Sequence, residues 1–155
     1  MNMPKQSNIE LLHQNEQNVL CIRTITSVEE LPKLIGESYG KLAAYLKELN
    51  EVLAEVPYVC YHNMDMGALD IEIGFPVTGV LPGKEDIQTG TIPAGKRIFC
   101  MYRGPYQLLE PVYQEMDEYL KKHSYEPVGT AYEFYYNDMS FPEEELLTKI
   151  VMPIK

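Results

Sequence analysis

The sequence predicts an α+β fold: a duplicated β-β-α-β-β unit whose two copies form one antiparallel sheet, with both helices on one face and a ligand groove near the pseudo-twofold axis. Three observations predict it. Two stretches carry apolar residues at three- and four-residue steps. Each is flanked on both sides by pairs of short β-type segments. The resulting halves, about residues 8–77 and 87–154, match one another residue by residue in several places.

The first half opens with "IELLHQ" and "NVLCIRTI", short apolar runs separated by polar residues, and both read as strands. A helical pattern follows from about Pro32 to Asn50, with Ile35, Tyr39, Leu42, Leu46 and Leu49 on one face. Ser27 and Glu30 form a capping-box pattern, but Pro32 has no N–H to donate. A short turn is therefore expected first, then a helix with Pro32 in its opening turn. "YVCYHN" and "LDIEIGFPV" complete the half, the latter alternating Ile71, Ile73 and Phe75 with Asp70, Glu72 and Gly74.

"TGVLPGKED", rich in turn formers, connects the copies. The second half repeats the order: "IQTGTI" and "KRIFCMYRG", then a helix from about Leu108 to His123 with Leu109, Val112, Met116, Tyr119 and Leu120 as its apolar stripe. His123 sits near the helix end, where a cation is favoured by the dipole. "TAYEFYYN" and "LLTKIVMPI" close the chain. Tyr39 and Tyr45 correspond to Tyr113 and Tyr119; Tyr58, Tyr61 and Asn63 correspond to Tyr132, Tyr135 and Asn137; "IGFPV" aligns with "IVMPI".

With 155 residues the chain is long enough for one domain with a real core. Lys plus Arg number 13 against 23 Asp plus Glu, a net charge of -10, and no stretch gathers the cations into a basic face. Direct nucleic-acid binding is not expected, because it rests on clustered cations, whereas an acidic field favours cationic small molecules. No signal-peptide pattern and no membrane-length apolar run occur, so a soluble, cytoplasmic protein is expected. Cys21, Cys60 and Cys100 lie in apolar segments and read as reduced, buried thiols. Twelve tyrosines against four phenylalanines and no tryptophan suit a cavity as well as a core. No P-loop, dinucleotide fingerprint or metal-ligand spacing is present, and no cofactor is expected.

"IPAG" (92–95), "YRGPYQLL" (102–109), "YEFYYND" (132–138), "PEEELLTKIVMPI" (142–154) and the first-half "DIEIGFPV" together resemble the GyrI-like small-molecule-binding domain, also found as the effector-binding domain of AraC-type and multidrug-sensing regulators. The resemblance spans nearly the whole chain. It implies the duplicated fold, two SHS2-like halves, and a central groove for hydrophobic, often cationic, aromatic ligands. It also implies that Glu133, which matches the glutamate of the family's E-x-Y-x-N-D pattern, lies in that groove and pairs with ligand charge.

Alternation along "YEFYYND" puts Tyr132, Phe134 and Tyr136 on one side and Glu133 with Tyr135 on the other. Through the repeat, Phe134 and Cys60 are expected to face the helices, and Tyr61, Glu133 and Tyr135 the groove. Glu72 is a second candidate, either groove-lining or solvent-exposed, and Gly74 on the same face leaves room for a ligand to approach the backbone. Of the tyrosines around "YRGPY", Tyr102 at a strand end is the groove candidate, while Tyr113 on the helix stripe reads as core.

Three functions follow from the resemblance. The first is a stand-alone binder of hydrophobic, cationic aromatic compounds, with no helix-turn-helix segment of its own. The second is a hydrolase of electrophilic, cyclopropane-bearing DNA-alkylating compounds, with Glu133 activating water and Tyr135 or Tyr102 donating to the developing oxyanion. A minor third is interaction with DNA gyrase, which the family's namesake inhibits.

Overall fold

The computed structural model describes residues 4–138 and 140–155. In chain order these form β1 (Lys5–Gln6), β2 (Glu10–Gln14), β3 (Gln17–Thr26), α1 (Leu31–Glu48), β4 (Tyr58–Tyr61), β5 (Leu69–Pro76), β6 (Gln88–Ile92), β7 (Gly95–Arg103), α2 (Glu110–Lys122), β8 (Ala131–Tyr135) and β9 (Leu147–Pro153). Short 3-10 turns occupy Tyr106–Leu108 and Glu143–Glu145. The class is α+β with antiparallel strand pairing, and β1 is the strand that the sequence patterns do not announce. Among the described residues no helix is long and apolar enough to cross a membrane.

The chain divides into two compact units, one of Asn15–Ala94 and one joining the segment that ends at Gln14 to Gly95–Lys155. In the first, the strand order is β4-β5-β3-β6. The second has the order β1-β7-β9-β8, and β2 also pairs with β7, opposite Gly95–Phe99, while β1 lies opposite Tyr102 and Arg103. The opening strand of each sequence copy is thus exchanged: β2 pairs with β7 of the second copy, and β6 with β3 of the first. Sequence repeat and compact unit therefore differ by one strand.

Each helix packs on the sheet of its own unit. Tyr39 of α1 meets Phe75 of β5, ring centroids 5.5 Å apart, and Leu42, Tyr45 and Leu46 are buried beside it. On α2, Val112, Met116 and Leu120 close over Ile98, Cys100, Ile150 and Met152, with the Cys100 thiol 3.9 Å from the Met116 sulfur. The three cysteines are reduced and buried. Burial pushes the Cys21 thiol up to about 12 and Cys100 to about 11, so both stay protonated and inert.

The duplication is visible in details that sequence matching only suggested. Pro32 stands in the opening turn of α1, after a turn at 28–30. Both helices end the same way, at Asn50 and Ser124 with φ of 57° each. Glu51 N donates to Leu46 O and Asn50 N to Lys47 O, as Tyr125 N does to Leu120 O and Ser124 N to Lys121 O. These are paired Schellman motifs. Asn63 and Asn137 then clamp equivalent turns: Asn63 donates to Ala68 O and accepts from Asp70 N, and Asn137 donates to Glu145 O and accepts from Leu147 N.

Register decides the faces. Glu133 lies beside Ile150, and Ile150 beside Cys100, whose thiol touches α2. Glu133 and Tyr135 therefore sit on the helix-bearing face, and Phe134, paired with Lys149, on the opposite one. This reverses the expectation that Phe134 faces the helices. Cys60 is reversed too: it pairs with Glu72, while Val59 and Tyr61 pair with Ile73 and Ile71 on the Phe75 side where α1 packs. Sequence alternation separates two faces but cannot say which one a helix covers.

Candidate functional site

The polar centre of the second unit is Glu133, 8% exposed. Its Oε2 accepts a hydrogen bond of 2.5 Å from the Tyr113 hydroxyl on α2, and its Oε1 one of 2.9 Å from Tyr135 two residues along β8. Tyr106, from the turn before α2, packs edge-on against Tyr135 with centroids 5.6 Å apart and an interplanar angle of 70°. Three tyrosines from a turn, a helix and a strand thus converge on one carboxylate.

Burial drives the Glu133 carboxyl above its ordinary range, and the Tyr113 and Tyr135 hydrogen bonds pull the other way. The Tyr106 phenol is in turn raised by burial and by the nearby Glu133 charge. A carboxylate in this setting has lost most of its hydration while keeping two donors. It is suited to attract a cation, or to accept a proton at a pH where a surface carboxylate would stay ionised.

Glu72 holds a second, separate cluster in the first unit, on the face away from α1. Tyr58 donates to Glu72 Oε2 at 2.5 Å, and His62 Nε2 lies 3.4 Å from Oε1. The Glu72 and His62 side chains are 14% and 21% exposed. Beside them Arg23 makes a two-pronged contact with Asp70, at 3.0 and 2.8 Å. Gly74 is explained by the same cluster. Tyr58 is its strand partner, and a Cβ on residue 74 would fall 2.5 Å from the Tyr58 ring. The space over Gly74 is filled by this ring, which lies along β5 to reach Glu72, and not left open as the sequence reading expected.

Of the residues singled out from sequence, Glu133 and Tyr135 are in direct contact. Tyr102 is not with them: it is 2% exposed in the core of the second unit, and its hydroxyl donates to Pro105 O at 2.7 Å. Gly104, at φ 155°, makes way for that ring, since a Cβ there would lie 2.8 Å from the Tyr102 hydroxyl. Tyr61 is half-buried on the α1-bearing face of the first unit, paired with Ile71. Sequence reasoning missed Tyr113, which it assigned to the core, and Tyr58 and His62 as partners of Glu72. Tyr113 was detectable only as a phenol on a largely aliphatic helix stripe.

Two outcomes follow. Gly74→Ala is expected to lower stability by about 1–3 kcal/mol in urea unfolding, because the new methyl displaces the Tyr58 ring; in a Tyr58→Ala background the same change should cost far less. For Glu133 the folded pKa is raised, so its contribution to stability is full below its unfolded value of 4.5 and is lost as pH rises through the folded value. Glu133→Gln removes that loss. Melting temperatures across a pH series should show the variant gaining on the wild type as pH climbs above 4.5.

Comparison with known proteins bears on this arrangement. No curated protein matches the sequence significantly. Among solved structures, EcmrR in a complex with DNA shares 19% identity and a TM-score of 0.83; the match covers 96% of this chain and 57% of EcmrR, so the chain spans little more than half of that protein. A hydrolase from Listeria innocua superposes with a TM-score of 0.71 at 14% identity, over 95% of this chain and 91% of its own. SAV2435, solved bound to tetraphenylphosphonium, has a TM-score of 0.63 at 12% identity, over 96% and 94%. At these identities the likeness shows the fold. The family model of the GyrI-like small molecule binding domain matches residues 7–155, nearly the full length, and the chain belongs to that family.

Proposed function

We propose that this small-molecule-binding domain takes hydrophobic, cationic aromatic compounds, with Glu133 as the counter-charge in a tyrosine-lined groove. The observation that carries the reading is the carboxylate buried among Tyr106, Tyr113 and Tyr135. An unsolvated carboxylate attracts a soft, weakly hydrated cation more strongly than water-exposed acids do, and the rings offer their faces to aromatic and cationic groups alike. The net charge of -10 adds a long-range attraction for such ligands. SAV2435 has been solved with a ligand of this chemistry, a phosphonium ion carrying four phenyl rings.

Binding and protonation are coupled in this scheme. Only ionised Glu133 attracts a cation, and burial raises its carboxyl in the free protein. Affinity for tetraphenylphosphonium, measured by calorimetry, should therefore rise with pH through the raised pKa and then level off. Glu133→Gln should weaken binding by about tenfold or more and abolish that pH dependence, and Tyr135→Ala should weaken it through lost ring contact. Unchanged affinity in both variants would overturn the reading.

A second reading is favoured by the same raised carboxyl. Glu133 takes a proton from water as the water oxygen bonds to a strained ring carbon of a cyclopropane-bearing electrophile. The ring C–C bond breaks, and the electron pair settles on the conjugated carbonyl oxygen, to which the Tyr135 hydroxyl turns to donate once Glu133, its present acceptor, carries the proton. Turnover of such a compound to its ring-opened hydrate, followed by mass spectrometry and lost in Glu133→Gln, is the expected sign of this activity. A stoichiometric protein adduct or an unchanged substrate would leave binding alone.

A further inference from the structure

The second unit gathers cations that are scattered in sequence onto the sheet face opposite α2. Lys5 and Arg103 are direct cross-strand partners in the β1–β7 ladder, so their side chains leave the same side of the sheet. Arg103 is next to Leu147 across β9, and Met101 is next to Lys149. The Lys149 ammonium lies 5.2 Å from the Phe99 ring centre and 5.7 Å from that of Phe134. A concavity of about 420 Å³, lined by Lys5, Gln6, Ser7, Met101, Arg103 and Leu147, opens on this face.

Two features set the concavity apart. Among the described residues no carboxylate lines it, in a chain with ten more acids than bases. Lys5 and Arg103, which form no ion pair among the described residues, stand directly opposite one another in the ladder. Like charges directly opposite one another in an antiparallel ladder repel, and strand pairing alone gives no reason to place two cations there. An anion between them removes the repulsion. The Met101 and Leu147 side chains on either side offer apolar contact of the kind a hydrocarbon body would cover.

We propose that this concavity binds an amphipathic organic anion, its head group held between Lys5 and Arg103 and its apolar body laid over Met101 and Leu147. The ligand is opposite in charge to the one assigned to Glu133, which occupies the other face of the same sheet. A small anion fits better than a polyanion, because three cations stand within a strongly negative molecule that repels extended nucleic acid.

Titration of the whole chain with decanoate at low salt, followed by calorimetry, tests this. Saturable one-to-one binding is expected, weakened about tenfold or more by Lys5→Glu and by Arg103→Glu and weakened by added salt. Each charge reversal replaces a repulsive cross-strand pair with an attractive one, so both variants should fold, with melting temperatures at or above that of the wild type. Decyltrimethylammonium, with the same tail and the opposite charge, should not compete, and Glu133→Gln should leave decanoate affinity unchanged. The proposal is overturned if decanoate does not saturate below its micelle limit, if both charge reversals bind it as the wild type does, or if only anionic vesicles or an acidic peptide bind at this face.

Discussion

A carboxylate enclosed by aromatic rings survives only while something replaces its lost hydration, and the arrangement around Glu133 depends on that constraint. The two replacing groups come from different elements, Tyr113 from α2 and Tyr135 from β8. Their convergence is set by core packing. Val112, Met116 and Leu120 seat α2 on Ile98, Cys100 and Ile150, and the β8–β9 register puts Glu133 in the same row as Ile150 and Cys100. A slip of one residue in β8 would turn Phe134 to the helix and Glu133 away from it. The hydrophobic core thus serves the polar site by fixing register and helix position.

Duplication supplied a common scaffold, and a few substitutions made its chemistry asymmetric. Helix ends and turn clamps remain alike, as at Asn50 with Ser124 and Asn63 with Asn137. The positions that carry charge do not. Glu133 matches Val59, so the first unit has an aliphatic side chain where the second has its acid. Glu72 matches Lys149, and Gly74 matches Val151. In the first unit the missing side chain admits the Tyr58 ring and a Tyr58–Glu72 hydrogen bond. In the second, Tyr132 faces Val151 instead and packs near Phe134, whose ring lies under Lys149.

One consequence is that the two faces of the second unit carry different chemistry. The face under α2 carries a buried acid with phenolic donors, while the other carries Lys5, Arg103 and Lys149 among apolar and aromatic side chains, with Glu10 beside Phe99. The sheet between them keeps the two chemistries apart, because alternate residues of a strand point to opposite sides. Neighbours in sequence such as Glu133 and Phe134 can therefore serve different surfaces.

By itself the sequence determined the elements, their order and the duplication, because apolar period, turn residues and matched motifs are local properties. It also marked Glu133 and Tyr135 as a pair two residues apart on one strand face. Tertiary structure decided what those residues touch. Which face a helix covers depends on chain-distant packing, so Phe134 and Cys60 were expected on the wrong side, and Tyr113 looked like core until α2 placed its hydroxyl on Glu133. Gly74 offered room in sequence, and only the fold showed that Tyr58 fills it. The exchange of β2 and β6, and the meeting of Lys5 with Arg103 across 97 intervening residues, are pairings between distant segments. No local pattern encodes such contacts, since their entropy of closure is repaid only when the whole sheet forms.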